Sequence, residues 1–538
     1  MAVNEFKLDI LGAKFAITSD ENESSLQETL NEYRAAIKDT QEITGISDPM
    51  NVAVLTGFLL CGKINKLQRQ MQEAESRREG EMREMDGLAQ NLIASLDQVM
   101  KKTSGKGAGD NFFKLQNQNK HYEWGSPDFI PAFLGIENSL MQPFAEMWMG
   151  SHVGAPSLIK IDRKLIPLTK LIAERPQFFL GKKIAEKYGD LPFLFKLLAA
   201  GKPLSIQAHP NLERAKLGYE RENKAGLALN DPKRNYKDPN HKPEIICALD
   251  TMTLMCGFRK PAEICIFLEA FLLRAPFLSD VFKPLLEALQ SSDGGHKSEI
   301  IEYESLSEYE RKSEENAVKN GDALKNFFAA LFNLPKDKVE ELCSFITETA
   351  MSAGEDDKFI SAGQWELLLR FAELYPGDPS VLSPLYLNVL TLKPGQALFV
   401  GAGVLHAYIS GFGVELMAAS DNVLRGGLTS KHIDIPELME ILDFSPCVPQ
   451  LIEAPPPDSA LFRYPAPCEE FSLSLMRGEQ VDAVFGGRGP AICIVTEGEL
   501  SISGESFKKG EAVFIPAEAS PLSFAGAYRL FIAAAGEL

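Results

Sequence analysis

Residues 236–249 read YKDPNHKPEIICAL, and this stretch supplies a carboxylate, Glu244, that three other side chains can join around one metal ion. In the segment SIQAHP, Gln207 and His209 lie two residues apart, so on a strand they project from the same face. His406 follows a short apolar run. Two imidazoles, one carboxylate and one amide oxygen suit zinc, although this ligand set by itself also allows iron or manganese.

The context of these residues is more specific than the ligand set. The first nine residues of the quoted stretch match Tyr-x-Asp-x-Asn-His-Lys-Pro-Glu, a signature that type I phosphomannose isomerases carry. Residues 420–431, SDNVLRGGLTSK, resemble a second signature of that family, with Ser430 where proline is usual. Four shorter matches occur in the expected order: YEWGS (122–126), PFAEMWMGSH (143–152), LPFLFKLL (191–198) and SIQAHP (205–210). The resemblance covers residues 112–538.

This resemblance implies an activity and a set of site residues. It implies interconversion of mannose 6-phosphate and fructose 6-phosphate, with one zinc ion per chain. The implied zinc ligands are Gln207, His209, Glu244 and His406. The residues implied around the sugar phosphate are Lys196, Ser205, Lys242, Arg425 and Lys431. A dianion needs such a cationic set in an acidic protein. Trp124 either lines the sugar pocket or belongs to the core.

The reaction moves a proton between neighbouring carbons and passes through an enediol or enediolate, so a base is required. Lys242 is the first candidate because it stands two residues before a metal ligand, where a cation's field and burial could lower its pKa. Glu415, in GVELMAASDN, is the second candidate. Arg425 is expected to stabilise developing charge, because a guanidinium stays protonated. The sequence leaves open proton transfer or hydride shift, the anomer bound and the physiological direction.

The resemblance also implies the fold class. The expected chain is multidomain and mainly β, with cupin (jelly-roll) barrels, an inserted α-helical domain and a small α+β hairpin and coiled-coil domain in front. Helical periodicity between 261 and 375 and alternating short strands near the C-terminus agree with this order. The expected segments are a first catalytic cupin part (112–257), a helical domain (258–384), a second catalytic cupin part (385–449) and a C-terminal cupin-like domain (450–538).

The first hundred residues have a different pattern. Alternating apolar residues on either side of Gly12 predict a β-hairpin, and a helix follows that Gly45 ends. A second helix is expected to start at Asp48, an N-cap residue. Apolar residues then recur by fours and threes from Leu60 to Ala74, and the same phase returns from Met85 to Val99, with Arg78 and Glu81 at the seam positions between. This pattern is the seam of a coiled coil with a polar interruption. Residues 102–111, rich in glycine and polar residues, are expected to form a flexible linker.

Residues 1–101 resemble the cell-division protein ZapA in the hairpin VNEFKLDILGAKFAI, the helix start SDPMNVAVLTGFLL and the charged coiled coil. ZapA-like proteins oligomerise through this helix and bundle the tubulin-like FtsZ. The resemblance therefore implies a homo-oligomer and possible contact with FtsZ, and oligomerisation alone is the alternative.

Composition limits the partners. The chain has 538 residues and a formal net charge of −19, which disfavours binding to a polyanion such as nucleic acid. Eight cysteines occur without a CxxC pair, and no signal segment or long apolar run is present, so a cytoplasmic protein without membrane attachment is expected.

Three other readings remain open at this point. The barrel could belong to another metal-dependent cupin, such as an oxygenase or a sugar-binding module, which dioxygen consumption would reveal. It could act on another phosphosugar. The whole chain could instead be a cell-division scaffold.

Overall fold

The computed structural model describes part of the N-terminal region and most of the rest of the chain. The described residues are 4–10, 13–19, single positions and short runs from 33 to 56, 111–290, 317–353, 357–479, 483–485 and 489–535. The chain divides into two compact units, Met1–Gly107 and Ala108–Leu538, and each is described by itself.

The first unit contains the predicted hairpin. Strands β1 (Asn4–Ile10) and β2 (Ala13–Ser19) pair antiparallel, from Asn4 opposite Ser19 to Ile10 opposite Ala13. The alternation of apolar residues thus predicted the strands correctly.

Two helix boundaries in this unit also agree with the sequence. The amide of Gly45 donates to the carbonyl of Gln41, and Gly45 has a φ of 70°, the left-handed conformation that commonly ends a helix. Asp48 accepts from the amide of Asn51 at 2.9 Å, as an N-cap residue does. The predicted coiled-coil seam and residues 102–110 of the predicted linker lie outside the described residues.

The second unit is mainly β, with helices concentrated between residues 261 and 386. Its strands are β3 (Phe113–Gln116), β4 (Gln118–Lys120), β5 (Glu146–Met149), β6 (Leu158–Ile161), β7 (Lys164–Pro167), β8 (Phe193–Ala200), β9 (Ile206–Ala208), β10 (Glu244–Ala248), β11 (Met252–Phe258), β12 (Leu387–Leu392), β13 (Ala397–Val400), β14 (His406–Ala418), β15 (Leu424–Gly427), β16 (Leu461–Tyr464), β17 (Ser472–Glu479), β18 (Ala483–Phe485), β19 (Ala491–Ile502), β20 (Glu505–Lys508), β21 (Ala512–Ile515), β22 (Leu522–Ala525) and β23 (Ala527–Ala534).

In chain order, most helices of this unit lie between strands of the first sheet. They are α1 (Phe129–Leu134), α2 (Leu168–Glu174), α3 (Pro176–Tyr188), α4 (Leu212–Lys224), α5 (Pro261–Arg274), α6 (Ser279–Gln290), α7 (Ala317–Phe332), α8 (Lys336–Ala353), α9 (Ala362–Leu374), α10 (Ser383–Tyr386) and α11 (Ile435–Ile441), with 3-10 turns at Pro276–Leu278 and Pro379–Leu382.

Strand β14 organises the first sheet. It pairs antiparallel with β8 and β10 along its second half and with β11 and β9 near its start. The rest of the order is β12-β11-β14-β8-β5-β4, with β13 beside β10 and β15 beside β9. A bulge where β11 pairs with β14 separates the two halves of β14. A bulge bends a strand, so one long strand can pair with different neighbours along its length. The start of β14 and its centre consequently face the same interior.

The helices pack around one apolar core that continues into the first sheet. The ring centroid of Phe271 of α5 lies 5.0 Å from that of Trp365 of α9, with the two rings tilted, and both residues are fully buried. Helix α9 begins at a capping box, in which Ser361 and Gln364 satisfy each other's backbone amides. The helical periodicity read between residues 261 and 375 is confirmed by α5 to α9.

The second sheet contains strands from both ends of this unit. C-terminal strands run in the order β16-β17-β23-β19-β21, and β3, β6 and β7 continue that order beyond β21. Strand β3 pairs with β21 through Leu115 opposite Ala512. The alternation read in residues 491–519 is confirmed by β19, β20 and β21. In the described part of the chain, no helix has the length and apolar character needed to cross a membrane.

Candidate metal centre and active site

Three of the four predicted metal ligands meet in the interior of the first sheet. Nε2 of His209 lies 3.3 Å from Oε1 of Glu244, and Nε2 of His406 lies 3.4 Å from Oε2 of the same carboxylate. One ligand atom from each of the three residues lies within 4.8 Å of the others. All three side chains are buried. A single ion can therefore contact all of them.

The strand ends explain this convergence. Glu244 is the first residue of β10 and His406 is the first residue of β14, while His209 directly follows β9. Strand β9 pairs with β14 so that Gln207 stands opposite His406. Directly paired residues point to the same face of a sheet. The register therefore directs Gln207 to the side of the sheet on which the other three residues meet.

Both histidines have their outer nitrogen held by a backbone carbonyl. Nδ1 of His209 donates to the carbonyl of Asn422 at 2.8 Å, and Nδ1 of His406 donates to that of Val404 at 2.9 Å. Each Nε2 then carries a lone pair toward Glu244 and lacks a hydrogen-bond partner in the described part of the chain. Buried polar atoms are rarely left unpaired. This donor set, with its carbonyl-oriented imidazoles, fits a bound metal ion.

The charges at the centre keep these side chains in their metal-binding forms. Burial and the charge of Lys242 lower the pKa of His209 to about 4, so its imidazole is neutral near neutral pH. Burial alone would raise the pKa of Glu244, but Lys242 and His209 outweigh it and lower that pKa well below its ordinary value. Nζ of Lys242 lies 2.7 Å from Oε1 of Glu244. Metal binding requires a neutral imidazole and an ionised carboxylate.

A second charged cluster lies further along β14. Lys196 of β8 stands opposite Glu415 of β14, and its Nζ lies 3.0 Å from Glu415 and 3.3 Å from Glu146 of β5. Burial opposes the charge of Lys196, but the two carboxylates raise its pKa above the ordinary value. Burial also raises the pKa of Glu415, against the opposing effect of Lys196. Lys196, predicted to contact phosphate, is thus already engaged by two carboxylates.

Glu146 and Trp148 were not identified as site residues from the sequence. Nε1 of Trp148 donates to Oε2 of Glu146 at 2.7 Å, and the ring of Trp148 lies 5.5 Å from Nζ of Lys196. Both residues belong to PFAEMWMGSH, which contributed only as a family match. Their spacing of two residues on a strand was the available signal, since it places them on one face.

Cations without carboxylate partners lie beside the centre. Arg425 of β15 stands opposite Gln207, on the other side of β9 from His406. Burial lowers the pKa of Arg425, and burial together with the charges of Arg425 and Lys237 lowers that of Lys431. In the described part of the chain, no carboxylate lies within 4.0 Å of these three cations. Lys237 was not among the predicted residues.

Two other predicted residues stand at the edge of this region. Trp124 packs against the apolar cluster that contains Leu198 and Tyr408, which agrees with the core alternative. Its ring also lies 5.8 Å from that of Tyr122. Ser205 is half-buried and directly precedes β9.

Most residues of the stretch 236–244 support the backbone rather than face the proposed metal centre. Tyr236 is buried, and its hydroxyl donates to Glu437 of α11 at 2.6 Å. It packs on Gly218 of α4, where a Cβ would come within 2.4 Å of the ring. His241 lies 2.7 Å from Glu470 near the C-terminal strands. These contacts fix both ends of the segment that presents Glu244.

Two regions of the chain match models of known protein families. The model of the phosphomannose isomerase type I catalytic domain matches residues 112–261. The chain is 34% identical over 423 residues to the mannose-6-phosphate isomerase of Salmonella typhimurium, covering 78% of this chain and 98% of the relative. It is 31% identical over 433 residues to mannose-6-phosphate isomerase 2 of Arabidopsis thaliana, covering 76% of this chain and 90% of the relative.

A solved structure shares the fold of the second unit. It is described as mannose 6-phosphate isomerase (holo; zinc bound), and it matches with a TM-score of 0.64 and 32% identity, covering 79% of this chain and 100% of the other. The model of cell division protein ZapA matches residues 6–105. The two resemblances inferred from the sequence are therefore both confirmed.

Proposed function

The chain belongs to the mannose-6-phosphate isomerase family, and we propose that it interconverts D-mannose 6-phosphate and D-fructose 6-phosphate with one zinc ion per chain. The buried convergence of His209, Glu244 and His406 carries this proposal, because their inward-facing atoms lack hydrogen-bond partners in the described residues. Gln207 is the proposed fourth ligand, supported by its register opposite His406. Bound zinc would act as a Lewis acid on substrate oxygen.

We assign the sugar phosphate to the cations on the Arg425 side of β9. Arg425 and Lys431 were expected there, and Lys237 joins them because it shares their electrostatic environment. Cations without a carboxylate partner suit a dianionic group. Ser205, directly before the same strand, is proposed to donate to the phosphate, and Trp124 is proposed to border the sugar. Binding the remote phosphate would orient the reacting carbons.

For the proton transfer, the contacts favour Glu415 over Lys242. Glu415 is buried, its pKa is raised by burial, and Lys196 holds it in place. A carboxylate in such a position can take a proton from one carbon and return it to the next. Lys242 lies against Glu244, where its positive charge balances the carboxylate. The reaction would then pass through an enediol or enediolate, and Arg425 would stabilise developing negative charge.

The experiment that tests the enzyme is a coupled assay of the purified full-length chain. Formation of fructose 6-phosphate from mannose 6-phosphate is followed before chelation, after chelation and after zinc is restored. We expect activity that chelation removes and zinc restores. A folded, zinc-loaded protein without activity on mannose 6-phosphate would contradict the proposal and favour another phosphosugar or a scaffold.

For the first unit we propose self-association, supported by the match to ZapA over residues 6–105 and by the apolar seam in the sequence. Contact with FtsZ is a second candidate that rests on the same match. Co-sedimentation of the full-length chain with FtsZ polymers tests it. If the chain neither sediments with the polymers nor alters their bundling, the unit serves oligomerisation alone.

A further inference from the structure

Asn422 is a fully buried amide that uses every one of its hydrogen-bonding positions on one loop. Its Oδ1 accepts from the backbone amides of Lys237 at 2.7 Å and Asp238 at 3.2 Å. Its Nδ2 donates to the backbone carbonyls of Asp238 at 2.7 Å and Asn240 at 2.8 Å. An asparagine side chain has two donor hydrogens and one acceptor oxygen with two lone pairs, so this set is complete.

The backbone of the same residue holds a metal ligand. The carbonyl of Asn422 accepts from Nδ1 of His209 at 2.8 Å. Its side chain is hydrogen-bonded to the loop of residues 237–240, and Glu244 follows that loop four residues later. One residue therefore fixes the ring of one proposed ligand and the approach of the chain to another.

We propose that Asn422 is a positioning residue that sets the affinity of the centre for zinc. This inference rests on the proposed metal centre. The second ring nitrogen of a ligating histidine almost always donates to a partner, and loss of such a partner typically weakens metal binding about 10- to 100-fold. Here the supporting carbonyl belongs to the backbone, so its position depends on the side chain that anchors this backbone to the loop.

Asn422→Asp tests the inference because it keeps the shape and removes the two donors. A carboxylate oxygen would then face the carbonyls of Asp238 and Asn240 and lie near the Asp238 carboxylate, which already approaches Nδ2 to 3.4 Å. We expect the zinc dissociation constant, measured by competition with a chromogenic chelator, to rise about 10- to 100-fold. The visible spectrum of the cobalt-substituted protein should also change, because it reports ligand geometry.

Asn138→Asp is the matched control. Asn138 also holds a loop, since its Nδ2 donates to the carbonyls of Pro127 and Gln142, both at 2.8 Å, but that loop carries no proposed ligand. This variant should lose stability without a change in zinc affinity or cobalt spectrum. If Asn422→Asp binds zinc as tightly as the parent, the inference is wrong and the residue serves folding alone.

Ser420→Ala is the second test variant, for use if Asn422→Asp does not fold. The Ser420 hydroxyl donates to Asp238 at 2.9 Å and accepts from the amide of Asn422 at 3.2 Å, so its loss loosens the same junction more gently. A smaller rise of the zinc dissociation constant supports the inference, and an unchanged constant overturns it. If the parent protein does not bind zinc, the proposed metal centre itself is wrong.

Discussion

Nζ of Lys196 lies 3.0 Å from Oε2 of Glu415, and the two residues stand opposite each other on β8 and β14. Both side chains are buried, and Glu146 shares the lysine from the other side at 3.3 Å. Because breaking a buried ion pair leaves an uncompensated charge, this contact holds the Glu415 carboxylate firmly. A general base must be held in this way to meet a substrate carbon.

The first prediction separates the two candidate bases. Glu415→Gln should lower kcat about 10²- to 10⁴-fold, the usual contribution of a general base, while zinc affinity stays unchanged. Lys242→Met should alter zinc affinity as well, because Lys242 lies against Glu244. Steady-state kinetics and chelator competition measure the two effects. Near-normal turnover in Glu415→Gln would instead favour Lys242 as the base. Glu497→Gln on β19 is the control and should change neither kcat nor zinc affinity.

The second prediction concerns Arg425. Arg425→Ala should lower kcat about 10²- to 10³-fold, as the loss of a group that stabilises developing charge does. Its thermal midpoint should barely change, because the guanidinium has no carboxylate partner in the described residues. Arg214→Ala on α4, which breaks a largely exposed ion pair with Glu440, is the control and should leave kcat unchanged and the midpoint lowered only slightly. Normal activity in Arg425→Ala would remove this residue from the mechanism.

The residues of the proposed metal centre could be predicted because they belong to local sequence motifs. Gln207 and His209 differ by two positions, and Glu244 and His406 each begin a strand. Glu146 could not be assigned in the same way. Its role depends on β5 lying beside β8, a pairing between distant segments that no local pattern encodes.

The fold shows the same limit. Periodicity indicated the helices and the C-terminal strands, since amphipathic patterns are local. It could not indicate that β3 would pair with β21, where Lys114 stands opposite Val513. The contact of Lys114 with Glu511 spans 397 residues of sequence. Strand β3 lies between β21 and β6, so its position depends on the packing of the finished sheet.

The third prediction is a pH dependence of stability. The contact with His241 lowers the pKa of Glu470, although burial alone would raise it. A carboxyl with a lowered folded-state pKa stabilises the fold above its unfolded pKa of about 4.3, and the stabilisation is lost as the pH falls through the folded-state value. Glu470→Gln should therefore cost about 1 to 2 kcal/mol of unfolding free energy at pH 7.

Thermal unfolding of the parent and of Glu470→Gln between pH 7 and pH 3.5 checks this. The difference between their midpoints should stay constant down to about pH 5 and shrink below about pH 4.3, where the carboxyl takes up its proton in the unfolded chain. The loss is complete at the lower pH at which the folded chain is protonated too. A difference that is the same at every pH would show that the charge of Glu470 contributes nothing.

The fourth prediction is that zinc stabilises the folded chain. A ligand that binds only the folded state adds about 4 kcal/mol when its free concentration is a thousand times its dissociation constant. The thermal midpoint should rise with zinc in the parent and not in His209→Gln. His121→Gln is the control, because His121 is exposed and bonds the carbonyl of Pro143 instead. A zinc response that survives in His209→Gln would place the metal elsewhere.

The fifth prediction concerns the first unit. Removing residues 1–105 takes away the segment that matches ZapA and leaves Ala108–Leu538, which is a compact unit. Light scattering should show a lower oligomeric mass, while turnover per chain stays the same, since every residue proposed for catalysis lies in the remaining unit. A point variant gives the sharper test, because it keeps the chain length.

Leu67→Asp places a charge in the predicted seam, where an apolar side chain should pack between helices, and should lower the oligomeric mass as the deletion does. Asn65→Asp adds the same charge two residues away, on the face that the heptad pattern directs to solvent, and should leave the mass unchanged. If both variants or neither dissociate the oligomer, the seam is not the contact, and self-association must come from another part of the chain.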